Sequence, residues 1–143
     1  MSLDRFMMAQ EQSYATALSE IRRGRKKSHW MWYIFPQIRG LGYRATAQKY
    51  AILDLQEAAD FIRHPILGKR LIEISSALLA LKTDNIADVF DYPDDLKLHS
   101  SMTLFLCAAP DIFVFKSVLD KFFGGIKDPA TLKILKSDTE KTD

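Results

Sequence analysis

A single cysteine, Cys107, is all the thiol chemistry in 143 residues. One thiol excludes an intrachain disulfide and a thiolate-held zinc ion, and fits a reducing compartment. Its neighbours Leu104, Phe105, Leu106 and Ala108 make it a small apolar core residue. No apolar run approaches the roughly 18 residues that a membrane span needs, and no charged leader with an apolar centre opens the chain. We therefore expect a cytoplasmic protein that makes no use of a membrane. Glycine is scarce, with six in the chain, and neither common glycine-rich phosphate loop is present. The three histidines, His29, His64 and His99, lie far apart with no partner three or four residues away, which leaves no metal site and implies no cofactor. Segments alternating apolar with polar residues between glycine turns, the mark of a sheet, are missing too. Charge of one sign is also lacking: 20 basic and 18 acidic residues leave a net +2. Electrostatics of the whole molecule thus neither demand nor exclude a polyanionic partner.

What is present is helical periodicity. With 48% hydrophobic residues, the chain is long enough for one core and short for two. Leu3, Phe6 and Met7, then Tyr14, Ala17, Leu18 and Ile21, recur at helical spacing as one helix or two, ended by Gly24. A short buried helix with Ser28 as its cap and Pro36 as its stop follows, then one over 46–52. Asp54 and Glu57 form a capping pattern ahead of Ala58, Phe61 and Ile62. His64-Pro65 separates that helix from the longest apolar stripe, Ile66, Leu67, Leu71, Ile74, Leu78 and Leu81, which we expect to be the central helix. Further helices are expected over 83–90, 93–109, from Asp111 to about 122, and from Asp128-Pro129 to about 135. The fold class that results is all-α: a single globular domain over 1–136, of about seven to eight short helices in irregular orthogonal or horseshoe-like packing. The polar tail 137–143 has nothing to bury and reads as disordered.

Two stretches carry possible chemistry. Ser28-His29-Trp30-Met31-Trp32-Tyr33-Ile34-Phe35-Pro36-Gln37 holds both tryptophans and the densest aromatic run, between Arg22-Arg23-Gly24-Arg25-Lys26-Lys27 and the loop Gly40-Leu41-Gly42. His29 suits general acid–base work near neutral pH, or it packs on an aromatic neighbour and bonds a carbonyl. Gln37 presents a two-faced amide, to a ligand or to loop backbone. Asp94-Asp95-Leu96-Lys97-Leu98-His99-Ser100-Ser101-Met102-Thr103 is the second stretch. On a helix, Asp94, Lys97 and Ser101 share one face. Paired serines inside a helix serve either close packing or ligand contact, and first-turn carboxylates favour the helix dipole without further role. A serine–histidine–aspartate triad lacks its strand-turn-helix elbow here.

Those residues, together with Tyr50-Ala51-Ile52, His64-Pro65 and Tyr92-Pro93, resemble the bacterial family catalogued as domain of unknown function 1810, from about Leu3 to Leu135. The resemblance implies an all-helical single domain and no settled activity. The name calpastatin that some relatives carry finds no support in these residues, which lack an inhibitor-like repeat. A looser similarity of layout, to small helical proteins that process ADP-ribose and nucleotide-derived metabolites, transfers no catalytic residue. The reading of the residues is a pocket between the aromatic run and the 94–103 helix that binds, or binds and hydrolyses, a small anionic ligand such as a nucleotide or ADP-ribose-like metabolite. Catalytic roles would fall to His29, Asp94 and Asp95. Arg25, Lys27, Ser28, Trp30, Trp32, Gln37, Lys97 and Ser101 would hold the ligand. The alternative is a non-enzymatic module that meets nucleic acid or an acidic partner through 22–27.

Overall fold

The computed structural model describes residues 2–141. Ser100, Ser101, Met102, Thr103, Leu104 and Phe105 are six consecutive buried residues, and a helix buried on every side belongs at the middle of a domain. They lie on helix α6, Asp94–Ala108. Among the described residues there are eight α-helices in all: α1 Asp4–Arg22, α2 Met31–Ile34, α3 Ala45–Lys49, α4 Leu55–Arg63, α5 Leu67–Leu79, then α6, α7 Phe113–Phe123 and α8 Pro129–Lys141. One 3-10 turn, Ile86–Asp88, precedes α6. Helices α4 and α7 each pack on both α5 and α6, closing a ring of four. α1 docks on α5 and carries α2, and α8 docks on α6. Among the described residues no strand forms, and the single β-bridge pairs Ile38 with Ile52.

The domain is all-helical, as the residue pattern predicts, but the central helix is α6 and not the stripe from Ile66 to Leu81. Helix α5 keeps a solvent face through Lys69, Glu73 and Ser76, so its long apolar stripe is the inner side of one helix of that ring. The first helix is one continuous element, because Phe6, Gln10, Ala17 and Ile21 bury a single stripe along it and Ser13 lies within it, accepting the Tyr33 hydroxyl at 2.8 Å. Asp54 caps α4 as expected, accepting from the Glu57 backbone N–H. Glu57 reaches back to the Leu53 N–H instead of the Asp54 N–H, and pairs with Arg5 at 2.7 Å. His64 starts α5 in an unforeseen way: its Nδ1 accepts from the N–H groups of Ile66 and Leu67. Helix α7 ends on Gly124 at φ 62°, in the left-handed region that glycine favours. α8 is the other difference. It continues past Ser137 to Lys141, with Asp138 paired to Arg39, where a disordered tail was expected; residues 142 and 143 lie outside the described residues.

Between the bridge partners, residues 39–51 leave the body as a compact excursion holding α3. The Arg39 N–H donates to the Ile52 carbonyl and the Ile52 N–H to the Gln37 carbonyl, so its two ends are stitched together. Arg5 pins the returning end of this loop through the Lys49 and Ala51 carbonyls and the Glu57 carboxylate. A loop whose ends are closed and clamped can serve as a wall.

Candidate ligand-binding groove

The aromatic run splits by position. Trp30, Met31, Ile34 and Phe35 are at most 1% exposed and belong to the core, while Trp32, Tyr33 and Gln37 are half-buried. One carboxylate sets this split. Glu20, on the last turns of α1, accepts from the backbone N–H groups of Lys27 (2.8 Å) and Ser28 (2.9 Å), the Ser28 hydroxyl (2.5 Å) and the Trp30 indole N–H (2.9 Å). Burial alone would raise its pKa; the Ser28 hydroxyl, the two backbone donors and the indole outweigh that and hold it at about 2. Ser28 therefore serves Glu20 and does not cap α2, whose N-cap is Trp30. With the Trp30 ring face met by Lys26 at 5.2 Å, that tryptophan is occupied on its edge and its face.

The exposed side of the run floors a groove. Trp32 and Gln37 form its base, Leu41, Gly42, Tyr43, Arg44 and Ala47 of the excursion one wall, and Pro93, Leu96 and Lys97 at the start of α6 the other, around a volume of about 580 Å³. A smaller recess of about 110 Å³ continues beneath the excursion and shares Trp32, Gln37, Gly42 and Ala47. Lys97 leans its ammonium over the Trp32 ring at 5.0 Å and stands 3.4 Å from Asp94, whose other oxygen meets Lys26 at 2.8 Å. Among the described residues the Trp32 indole N–H, the Gln37 amide and the Arg44 guanidinium have no hydrogen-bond or ion-pair partner. Five donor-bearing side chains, those of Trp32, Gln37, Tyr43, Arg44 and Lys97, thus line the larger hollow, and no histidine or carboxylate lines either part.

Of the residues singled out in the sequence, the structure brings Trp32, Gln37 and Lys97 together. His29 is exposed and lines neither part of the groove. Trp30 is sealed in the core. Ser101 is fully buried on α6 with its hydroxyl unpartnered among the described residues, and one oxygen of Asp95 is buried in the same condition; neither reaches the groove. Ser100 packs and bonds: it donates to Asp128, which also accepts from Thr131 at the start of α8. His99 stacks on Phe123 at 4.3 Å and its Nε2 meets the Ile126 carbonyl. Arg25 is spent on the Ala87 carbonyl and Asp91. Together with Arg23 and Lys27 it lines a separate hollow of about 510 Å³ beside Thr16, Ser19 and Glu20, in which no aromatic ring takes part. Burial pushes the Cys107 thiol up, against a smaller opposing pull from Lys127, so the lone cysteine is no ready nucleophile. No cluster able to hold a metal ion occurs among the described residues, and no helix there is long and apolar enough to cross a membrane. Tyr43 and Arg44 escaped the sequence reading; the signal available was an aromatic and a cation directly after the Gly40-Leu41-Gly42 loop.

The model of a family described as "Protein of unknown function (DUF1810)" matches residues 1–135. The chain is also similar to the crystal structure of the conserved hypothetical protein Rv1873 from Mycobacterium tuberculosis at 1.38 Å, with 42% identity, a TM-score of 0.92, and coverage of 94% of this chain and 96% of that one. No curated protein matches.

Proposed function

This chain belongs to the DUF1810 family, and from that premise we propose that the groove between the aromatic run and the start of α6 binds a small anionic ligand of the nucleotide or ADP-ribose-like class. The observation that carries the proposal is the set of unspent donors in one hollow: Trp32, Gln37 and Arg44, with Lys97 beside them. Half-buried polar groups are ordinarily paired, so the Trp32 indole and the Gln37 amide, both half-buried in the lining of one hollow and without a partner among the described residues, point to a ligand that completes them, with the exposed Arg44 at its wall. The charge there is positive, from Arg44 and Lys97, and the volume suits a molecule of nucleotide size. The reading is of binding. Hydrolysis by His29, Asp94 or Asp95 gains no support from a groove that none of them lines. Nucleic acid at 22–27 is the weaker fit, because Trp30, the ring nearest that run, is turned into the core and offers no platform for a base.

Calorimetric titration with adenosine 5′-monophosphate and with ADP-ribose tests it. Lys97→Gln is expected to weaken binding about tenfold, the usual loss for one charge-assisted hydrogen bond. Asp94→Asn removes a negative charge at the groove's edge and is expected to strengthen binding about threefold. Equal affinities in wild type and both variants, or no heat above dilution for either compound, would count against the groove.

A further inference from the structure

Trp32 is the ring that the sequence offers for stacking, yet its geometry leaves it a poor platform. The Lys97 ammonium already stands over its face at 5.0 Å, and the ring is half-buried as the floor of the groove. Tyr43, on the opposite wall, has the reverse character. Its side chain is 88% exposed and meets no ring, cation or hydrogen-bond partner among the described residues, although it lines the same hollow. Its backbone, by contrast, is fixed: the Tyr43 carbonyl accepts from the Gln48 side-chain amide at 2.8 Å, and the neighbouring Arg44 carbonyl from the Gln48 N–H at 3.0 Å. Gly42 behind it sits so close to α3 that a Cβ there would come within 2.7 Å of the Ala47 methyl. A held backbone carrying two free side chains, one ring and one guanidinium, is a preorganised recognition element: little backbone entropy is left to lose when a ligand engages it.

We infer that Tyr43, and not Trp32, supplies the stacking surface, with Arg44 next to it taking the anionic group, so that the ligand class is a compound carrying both a planar ring and a phosphate-like anion. Trp32 then acts as a floor that holds Lys97 by cation–π attraction. The inference rests on the proposed groove, and ring-free and anion-free probes separate its failure from the failure of that reading. Adenosine 5′-monophosphate, ribose 5-phosphate and adenosine are titrated into the intact protein and into Tyr43→Ala, Tyr43→Phe and Arg44→Gln. Tyr43 is a solvent-exposed loop residue, so these variants are expected to fold, with unchanged circular dichroism and melting.

Adenosine 5′-monophosphate should lose about tenfold in affinity on Tyr43→Ala, the usual effect of removing one stacking ring, and keep it on Tyr43→Phe. Ribose 5-phosphate should bind more weakly than the nucleotide to wild type and be indifferent to Tyr43. Arg44→Gln should weaken both phosphates and leave adenosine unchanged. If the nucleotide and ribose 5-phosphate bind alike and neither responds to Tyr43→Ala while Lys97→Gln weakens both, the groove stands and the tyrosine platform is wrong. If none of the three probes binds wild type, both the platform and the groove are overturned.

Discussion

Replacing Gly68 with alanine is expected to destabilise the fold by about 3 kcal/mol or more, seen as a fall in the urea midpoint with an unchanged slope. The sign is what makes this informative. Gly68 is the second residue of α5, with an ordinary helical backbone, and within a helix alanine is favoured over glycine by up to about 1 kcal/mol. Local propensity therefore predicts a gain. The α4–α5 corner opposes it: a Cβ on Gly68 would lie 1.9 Å from the Ile62 carbonyl oxygen and 2.7 Å from its carbon. Both are backbone atoms of the preceding helix, which cannot rotate aside as a side chain would. The Gly68 N–H donates to the His64 carbonyl at 3.0 Å, fixing the same turn, and Phe61 and Leu67, on either side of it, are fully buried. Relief would require prising α4 from α5, two members of the central ring. A neutral or stabilising Gly68→Ala would overturn the claim that close approach to the Ile62 backbone outweighs helix propensity here. Gly42→Ala, where the contact is a methyl group, should be milder, and its effect should fall on the groove wall.

Gly68 also marks the limit of what the residue pattern conveys. Periodicity, caps and breakers locate the helices well, because those signals are local: Asp54 caps α4 and proline at 65 separates α4 from α5. They do not say which helix is central. Helix α6 hides this because apolar and small polar residues ring it evenly, so it shows no stripe, whereas α5 displays a strong stripe for the opposite reason, having a solvent face. The groove was half legible. Trp32, Gln37 and Lys97 could be picked out by residue type, but the aromatic run gave no phase to tell Trp32 from Trp30, since every position from Trp30 to Phe35 is apolar or aromatic. The excursion that supplies Tyr43 and Arg44 depends on long-range ties, the bridge of Ile38 to Ile52 and the reach of Arg5 across to Ala51 and Glu57. No local signal announces those.

Glu20 is the residue whose loss should show how the site is held. Glu20→Gln is expected to destabilise the protein by about 2–3 kcal/mol, because an amide turns a donor toward a nest of donors and leaves part of it unpaired. The Trp30 indole N–H, on a side chain only 1% exposed, has Glu20 as its acceptor. The pH dependence gives an independent check. The carboxyl lies at about 2 in the folded protein against an ordinary 4.5, so the unfolded chain takes up the proton first. Its stabilisation is therefore complete above pH 4.5 and lost as the pH falls through 2. A shift of that size would correspond to about 3 kcal/mol at 1.36 kcal/mol per pH unit, and solvent access trims it to about 1–2 kcal/mol. Urea unfolding at pH 6 and at pH 2.5 should thus find the gap between wild type and Glu20→Gln narrowing toward the acid. A gap of the same size at both pH values would show that the carboxylate is not what holds the turn. In a Trp32→Phe background, leaving Trp30 as the sole tryptophan, the same substitution should move emission to the red as the indole loses its partner. Because the turn that Glu20 gathers leads directly into Trp32 and Gln37, its loosening should also weaken any ligand of the groove, while a variant on the far side of α1 at equal cost in stability should leave that affinity alone.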